Sequence, residues 1–174
     1  AAGPQTVEAL QALRPVAAMK VRRLIAKDLD ALTIMVSEFE VFLGKIEGKR
    51  RRVDKARLKA RLRAGGFGRR RFFDGLIAEE AGAAAGYLLY HIGFSTNFHC
   101  GTLFVSDLFV RETSRRKGTG QALMARATEI ARQRGCGRIE WTVWNINAMA
   151  IGFYVGLGAK PIDDELILGL QLSK

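Results

Sequence analysis

Leu29, Leu32, Val36 and Phe39 recur at the spacing of one helical face, and Asp28 stands before them as a candidate cap. A helix from Leu29 to about Leu43 is therefore predicted. Val53 to Arg63 is a second helical candidate, with Leu58 and Leu62 four apart, and Gly65-Gly66 breaks it. Ahead of both, Met19-Lys-Val-Arg-Arg-Leu-Ile reads as a first strand. Three more strands follow from β-branched and aromatic content. They run over Phe72–Ala78, from Gly82 to about Phe94, and over Thr102–Val110. The period then returns to that of a helix. From Thr119 to Arg134, Leu123, Ala127, Ile130 and Ala131 form an apolar stripe, and Gly135 is a natural stop. Arg138–Trp144 reads as a strand, and Asn147 opens a short helix to about Leu157, stopped by Gly158. Leu166–Leu172 reads as a last strand. The β-α-β order of the second half predicts a right-handed crossover.

The segment 1–18 is rich in Ala and interrupted by Pro4 and Pro15. It reads as an upstream extension, a cloning remnant or a short helix, and residues 19–174 read as a single domain. With 174 residues, 48% of them hydrophobic and 26% charged, the chain has material for a sizeable core. No apolar run approaches the roughly 18 residues of a membrane span, so no membrane partner is expected. The N-terminus lacks the apolar stretch of a secretory signal. Cys100 and Cys136 make no disulfide framework and no metal-ligand spacing, so no metal is expected. The reducing cytoplasm is the default home.

The net charge of +11 is concentrated. Of 28 Lys and Arg, 12 lie between Lys49 and Arg71 against one acid, Asp54, leaving 16 basic and 16 acidic residues elsewhere. The chain is thus a balanced protein bearing one basic patch.

A second basic cluster has a different setting. Arg115, Arg116 and Lys117 stand directly before Gly118-Thr119-Gly120, which feeds a predicted helix. Such a turn exposes main-chain N–H groups at the positive end of the helix dipole, and its glycines let an anion approach closely. A pyrophosphate suits it; so does a plain tight turn with its charges in water. It is not a nucleoside-triphosphatase loop, because the Gly-Lys-Ser/Thr ending is absent, and it lacks the third glycine of a dinucleotide fingerprint.

Two motifs together resemble the GNAT superfamily of N-acetyltransferases. Arg115-x-x-Gly118-x-Gly120 matches the superfamily's Arg/Gln-x-x-Gly-x-Gly/Ala loop and follows the strand Asp107-Leu108-Phe109-Val110. Downstream, Asn147-x-x-Ala150-Ile151-x-Phe153-Tyr154-x-x-Leu157-Gly158-Ala159 matches the second half of the pattern. The resemblance covers roughly residues 19–172 and is nearest to the diamine and thialysine (spermidine/spermine-type) acetyltransferases. It implies an α/β fold: a mixed, mostly antiparallel twisted sheet of about six to seven strands flanked by about four helices. It also implies acetyl-coenzyme A as donor, direct transfer to a primary amine of a small molecule, and a homodimer.

The resemblance distributes roles as follows. Phe109, Val110, Arg115, Arg116, Lys117, Gly118, Thr119, Gly120, Gln121, Asn147, Ala150 and Tyr154 would contact the cofactor. A main-chain N–H at Phe109 or Val110 would donate to the oxyanion of the transfer step. Tyr154 would be the general acid, although a Tyr on an apolar helix face is also a common core residue. Asn147 would cap its helix and touch the cofactor. Ser106, Asp107, Glu140, Trp141 and Thr142 would line the acceptor side.

No general base is assigned. The subfamily's glutamate position holds Ser106, which can order water but cannot act as a carboxylate. Asp107 acts through water or is a structural acceptor; Glu140 is a further candidate; His91 and His99 read as surface residues. Arg69, Arg70 and Arg71 would oppose a polyamine if they faced the pocket. An acceptor carrying its own carboxylate or phosphate, such as an amino-acid-like amine, would then fit better. A different class of reading is a nucleic-acid- or ribosome-associated module, or a protein N-acetyltransferase, using the segment 49–71. Nucleic acid is thus a possible partner beside the small amine.

Overall fold

The structure is a computed structural model and describes residues 19–162 and 166–172. The reading of residues 1–18 as an extension lies outside the described residues. Five strands form one sheet in the order β1-β2-β3-β4-β5. They are β1 (Met19–Arg23), β2 (Asp74–Glu80), β3 (Ala83–Ser95), β4 (Cys100–Val110) and β5 (Cys136–Trp141). The first four are antiparallel neighbours; β5 lies parallel to β4. Four α-helices accompany them: α1 (Leu29–Glu47), α2 (Lys55–Leu62), α3 (Thr119–Gln133) and α4 (Ala148–Gly156).

Alternation along the strands sorts the core into two layers. Leu76, Ala78, Leu88 and Tyr90 face α3, which contributes Leu123, Met124, Ala127, Ile130 and Ala131. Ile77, Tyr87 and Leu89 face the other way, toward Leu29, Leu32 and Met35 of α1 and Leu62 of α2. Strand β4 changes parity in its middle. Leu103 and Val105 face α3, but beyond them Leu108 and Val110 do so. The pairing explains the switch: Tyr90 opposes Val105 and Leu89 opposes Asp107, so Ser106 is an extra residue without a partner on β3. Such a bulge re-aims the side chains that follow it. It turns Asp107 and Phe109 to the α1 side of the sheet.

Helix α1 is longer than predicted, running four residues past Leu43 to Gly48, which closes it with φ 68°. Asp28 does not cap it through its side chain. Its carboxylate is already taken by Arg22 at 2.7 Å and 2.8 Å and by the Ile25 N–H at 2.9 Å. Arg22 also reaches Glu79 on the neighbouring strand. The guanidinium holds both carboxyls below their ordinary range. Helix α2 begins at Lys55 because Asp54 accepts the Arg57 N–H at 3.0 Å.

Gly65 and Gly66 end α2 as expected, in a wide turn over Arg63–Phe67. Both are buried, because the Phe73 ring fills the space their side chains would occupy. The segment Leu166–Leu172 is not a strand. Its composition is strand-like, but a strand requires a hydrogen-bonded neighbour, and among the described residues none pairs with it. Its leucines are exposed. The sheet therefore has five strands among the described residues rather than six or seven.

A Cβ at Gly66 would sit 2.5 Å from the Phe73 ring. Gly66→Ala is expected to destabilise the fold by about 1–3 kcal/mol through overpacking. Urea denaturation of the two proteins side by side measures this; an unchanged midpoint would mean that Phe73 is not wedged against the turn.

Candidate active site

Main-chain pairing between β4 and β5 stops at Val105 opposite Trp141. Beyond that point β4 continues to Val110, while the chain after Trp141 leaves the sheet. Thr142, Val143 and Trp144 are thus irregular, not the end of a strand as predicted. The parting opens a cleft of about 670 Å³. Its floor is β4 from Val105 to Val110; its walls are the start of α3, the 141–144 segment and α4; Phe39 and Phe42 of α1 close one side.

The Gly118 turn forms one end. Gly118 has φ 82° and Arg116 has φ 58°, so the chain curls through the left-handed region twice in three residues. Consecutive turns of this kind aim main-chain N–H groups inward. No side chain caps α3, which leaves the first-turn N–H groups directed at the cleft. Gly120 also needs its missing side chain, since a Cβ there would lie 3.0 Å from Phe153.

The turn is braced from behind. The buried Thr119 hydroxyl donates to the Ser114 carbonyl at 2.9 Å, and Ser114 donates to Glu80 at 2.7 Å. Arg115 donates through Nε to the Val110 carbonyl at 3.0 Å and stacks over Phe42 at 4.7 Å. It therefore ties the turn to the end of β4 as well as lining the cleft.

At the other end stand Asp107 and Tyr154. Tyr154 packs against Trp141 at 4.8 Å and Phe153 at 5.1 Å between ring centroids. Burial, and then the nearby Asp107 charge, push its hydroxyl up to about 12, so it keeps its proton at neutral pH. Asp107 is half-buried on the cleft floor. Burial, with a smaller contribution from Glu40, raises its carboxyl to about 6. Two groups that titrate about six units apart and share one cleft can take up and give up a proton near neutrality.

Most of the residues expected from the sequence meet in this cleft. Ser106, Asp107, Phe109, Val110, Arg115, Arg116, Gly118, Thr119, Gly120, Gln121, Trp141, Thr142, Asn147, Ala150 and Tyr154 all line it. Asn147 caps α4 by accepting the Ala150 N–H at 3.1 Å. Two of the expected residues lie outside the cleft. Lys117 turns away and pairs with Glu80 at 2.9 Å. Glu140 pairs with Arg138 at 2.7 Å and lines a separate hollow of about 340 Å³ with His91 and Phe98. Strand alternation is the reason: Glu140 follows Ile139 and precedes Trp141, so it faces away from the cleft that Trp141 lines. Arg69, Arg70 and Arg71 are exposed and do not line the cleft.

The sequence reading missed several lining residues, among them Phe39, Phe42, Val143, Trp144, Met149 and Phe153. Phe39 and Phe42 lie three apart on one helix, a signal that reads equally as core.

Residues 42–159 match the Acetyltransferase (GNAT) family, well over half of the chain. A thialysine N-epsilon-acetyltransferase of Bos taurus is 30% identical over 111 residues, covering 59% of this chain and 65% of that protein. An L-ornithine N5-acetyltransferase of Arabidopsis thaliana is 37% identical over 78 residues, covering 44% of this chain and 33% of that protein. The match thus spans less than two thirds of either relative. Among solved structures, an integron cassette protein from the mobile metagenome of V. cholerae superposes with a TM-score of 0.77 at 26% identity, covering 88% of this chain and 93% of the other.

The raised Asp107 carboxyl carries a stability consequence. Between pH 4 and 6 the folded state holds a proton there that the unfolded chain has released. This group's contribution therefore falls as pH rises through that window and stays lower above it. Asp107→Asn is expected to melt a few degrees higher than the parent at pH 7, with the gap closing toward pH 4. Equal melting temperatures at pH 7 would contradict the burial of this carboxylate.

Proposed function

The chain belongs to the Acetyltransferase (GNAT) family, and from that premise we propose that it transfers an acetyl group from acetyl-coenzyme A to a primary amine of a small molecule. The observation that carries this reading is the uncapped Gly118 turn opening into the same cleft as Asp107 and Tyr154. The residues suit the cofactor. The turn presents unpartnered main-chain N–H groups to an anion, Arg116 adds charge, and Gly120 has no side chain to obstruct entry. When bound, acetyl-coenzyme A supplies a thioester-activated acetyl group.

The chain's own residues supply the rest. An alkylammonium with a pKa of about 10.4 must lose a proton before its nitrogen can attack. Asp107, ionised above about pH 6, accepts that proton directly or through a water beside Ser106. A main-chain N–H of Phe109 or Val110, on the part of β4 that β5 no longer pairs, donates to the acetyl oxygen. The Tyr154 O–H, which stays protonated, donates to the departing sulfur. Aromatic walls from Trp141, Trp144 and Phe153 shelter these groups from water.

The acceptor follows from the one carboxylate on the cleft floor. A cationic amine is attracted by Asp107, and the arginines of 69–71 are not among the residues that line the cleft. Two relatives are named for thialysine and L-ornithine, amino acids with a side-chain amine. An amino-acid-like amine or a diamine is accordingly the proposed substrate class.

Three measurements test this reading. Calorimetry should detect coenzyme A binding that Gly118→Glu abolishes; binding that survives this change would dissociate the turn from the cofactor. Tyr154→Phe should lower kcat by about 100-fold while coenzyme A affinity moves less than about threefold; an unchanged kcat removes its role. The parent's kcat/KM should fall as pH drops through about 6, where Asp107 takes its proton. In Asp107→Asn the rate should be lower and that limb absent. A limb that persists there assigns the proton acceptor elsewhere. A screen of diamines and amino-acid amines with labelled acetyl-coenzyme A identifies the acceptor.

A further inference from the structure

We propose that the basic surface of Lys49–Arg71, together with the exposed ring of Phe72, binds single-stranded nucleic acid. The charges there are largely uncompensated. Of the twelve basic residues in this segment, Arg51 pairs with Glu40 and Glu47, Lys59 with Asp30, and Arg71 with Asp74. The other nine form no ion pair among the described residues and all are exposed. A solvated protein face ordinarily intersperses acids among its bases. Here the only acid in the segment, Asp54, is committed to capping α2.

The fold fixes where these charges point. Helix α2 turns Leu58 and Leu62 toward the core, so Lys55, Arg57 and Arg61 necessarily stand outward, with Arg63 following them. The loop before the helix adds Lys49, Arg50 and Arg52, and the turn after it adds Arg69 and Arg70. Most of these are arginines, whose planar guanidinium suits phosphate oxygens and stacks on flat rings.

Phe72 is 79% exposed. Its exposure is imposed by its neighbour: Phe73 fills the space over Gly65 and Gly66, and Phe72 is held beside it through its N–H to the Gly65 carbonyl at 2.7 Å. A bare aromatic ring directly after three arginines is the combination that single strands use, phosphates on the cations and a base on the ring. A membrane surface fits less well. The apolar side of α2 is buried in the core, so no apolar helical face remains to enter a bilayer. The patch reaches the lip of the cleft, where Arg51 stacks over Trp144 at 5.4 Å, but none of its residues lines the cleft.

The test is fluorescence anisotropy of the full chain with a labelled 20-nucleotide oligo(U) and oligo(dT), from 25 to 300 mM KCl. Binding should weaken linearly in log salt, with about −0.7 in slope for each phosphate neutralised. The triple variant Arg57→Glu, Arg61→Glu, Arg63→Glu should flatten that slope by about 2. Phe72→Ala should weaken binding about tenfold with the slope kept. Equal RNA and DNA affinities assign the site to single strands in general, and an RNA preference assigns it to RNA; either supports the proposal.

Absence of binding at 25 mM KCl overturns it. So does oligonucleotide binding that both variants retain, or that saturating coenzyme A displaces, since the anion would then sit at the Gly118 turn. Anionic vesicles bound in preference to oligo(U) overturn it in favour of a membrane. Circular dichroism melting confirms that each variant is folded. Coenzyme A calorimetry on the same variants keeps the outcome separate from that of the acetyltransferase reading.

Discussion

Two parallel strands stop sharing hydrogen bonds at Val105 and Trp141, and the cleft exists because of it. Main-chain groups rarely go unpaired inside a protein. Leaving the far half of β4 without a neighbour on that side creates a row of polar groups that requires a partner. The Ser106 bulge sits at the same level on the opposite edge of β4. It bends the strand and switches its parity, so that Asp107 meets the opening instead of the α3 core. The lost pairing supplies the gap, and the bulge supplies the carboxylate within it.

The second constraint is the turn into α3. It takes a left-handed glycine, which is unstrained, but also a left-handed arginine and a helix start with no side-chain cap, both of which are unfavourable. The cost is offset from behind by the buried chain from Thr119 through Ser114 to Glu80. It is offset from the side by Arg115, which clamps the turn to Val110. Rigidity from the rear leaves the front free for an anion. Lys117 belongs to the bracing: its pairing with Glu80 lowers that carboxyl's pKa and secures the same acid that Ser114 uses.

Charge is partitioned between two regions with different surroundings. The cleft holds Asp107 in partial burial, where loss of water raises its pKa into the working range. The segment 49–71 carries its charge in open water. Arg51 is the hinge between the two, held by Glu40 and Glu47 on α1 while stacking over Trp144 at the cleft. This shared residue sets the basic loop against the 141–144 segment.

Much of this was legible in the sequence, for definable reasons. Periodicity located every helix and the first five strands within a few residues, because apolar spacing is a property of the chain itself. The paired motifs at Arg115–Gly120 and Asn147–Ala159 located the turn and the tyrosine, because backbone chemistry there demands particular residues at fixed spacing. Contacts made across the fold were not legible. Asp28 reads as a cap until Arg22 and the Ile25 N–H are brought to it. Glu140 reads as an acceptor-site acid until strand parity turns it toward Arg138. Leu166–Leu172 reads as a strand although no neighbour pairs with it among the described residues. The sequence determined the helices, the first five strands and the glycine-rich turn into α3, since those follow from local geometry and residue chemistry. Only the tertiary structure decided where β4 and β5 part and which face Asp107 occupies, because a bulge and a lost pairing arise from the register between distant strands.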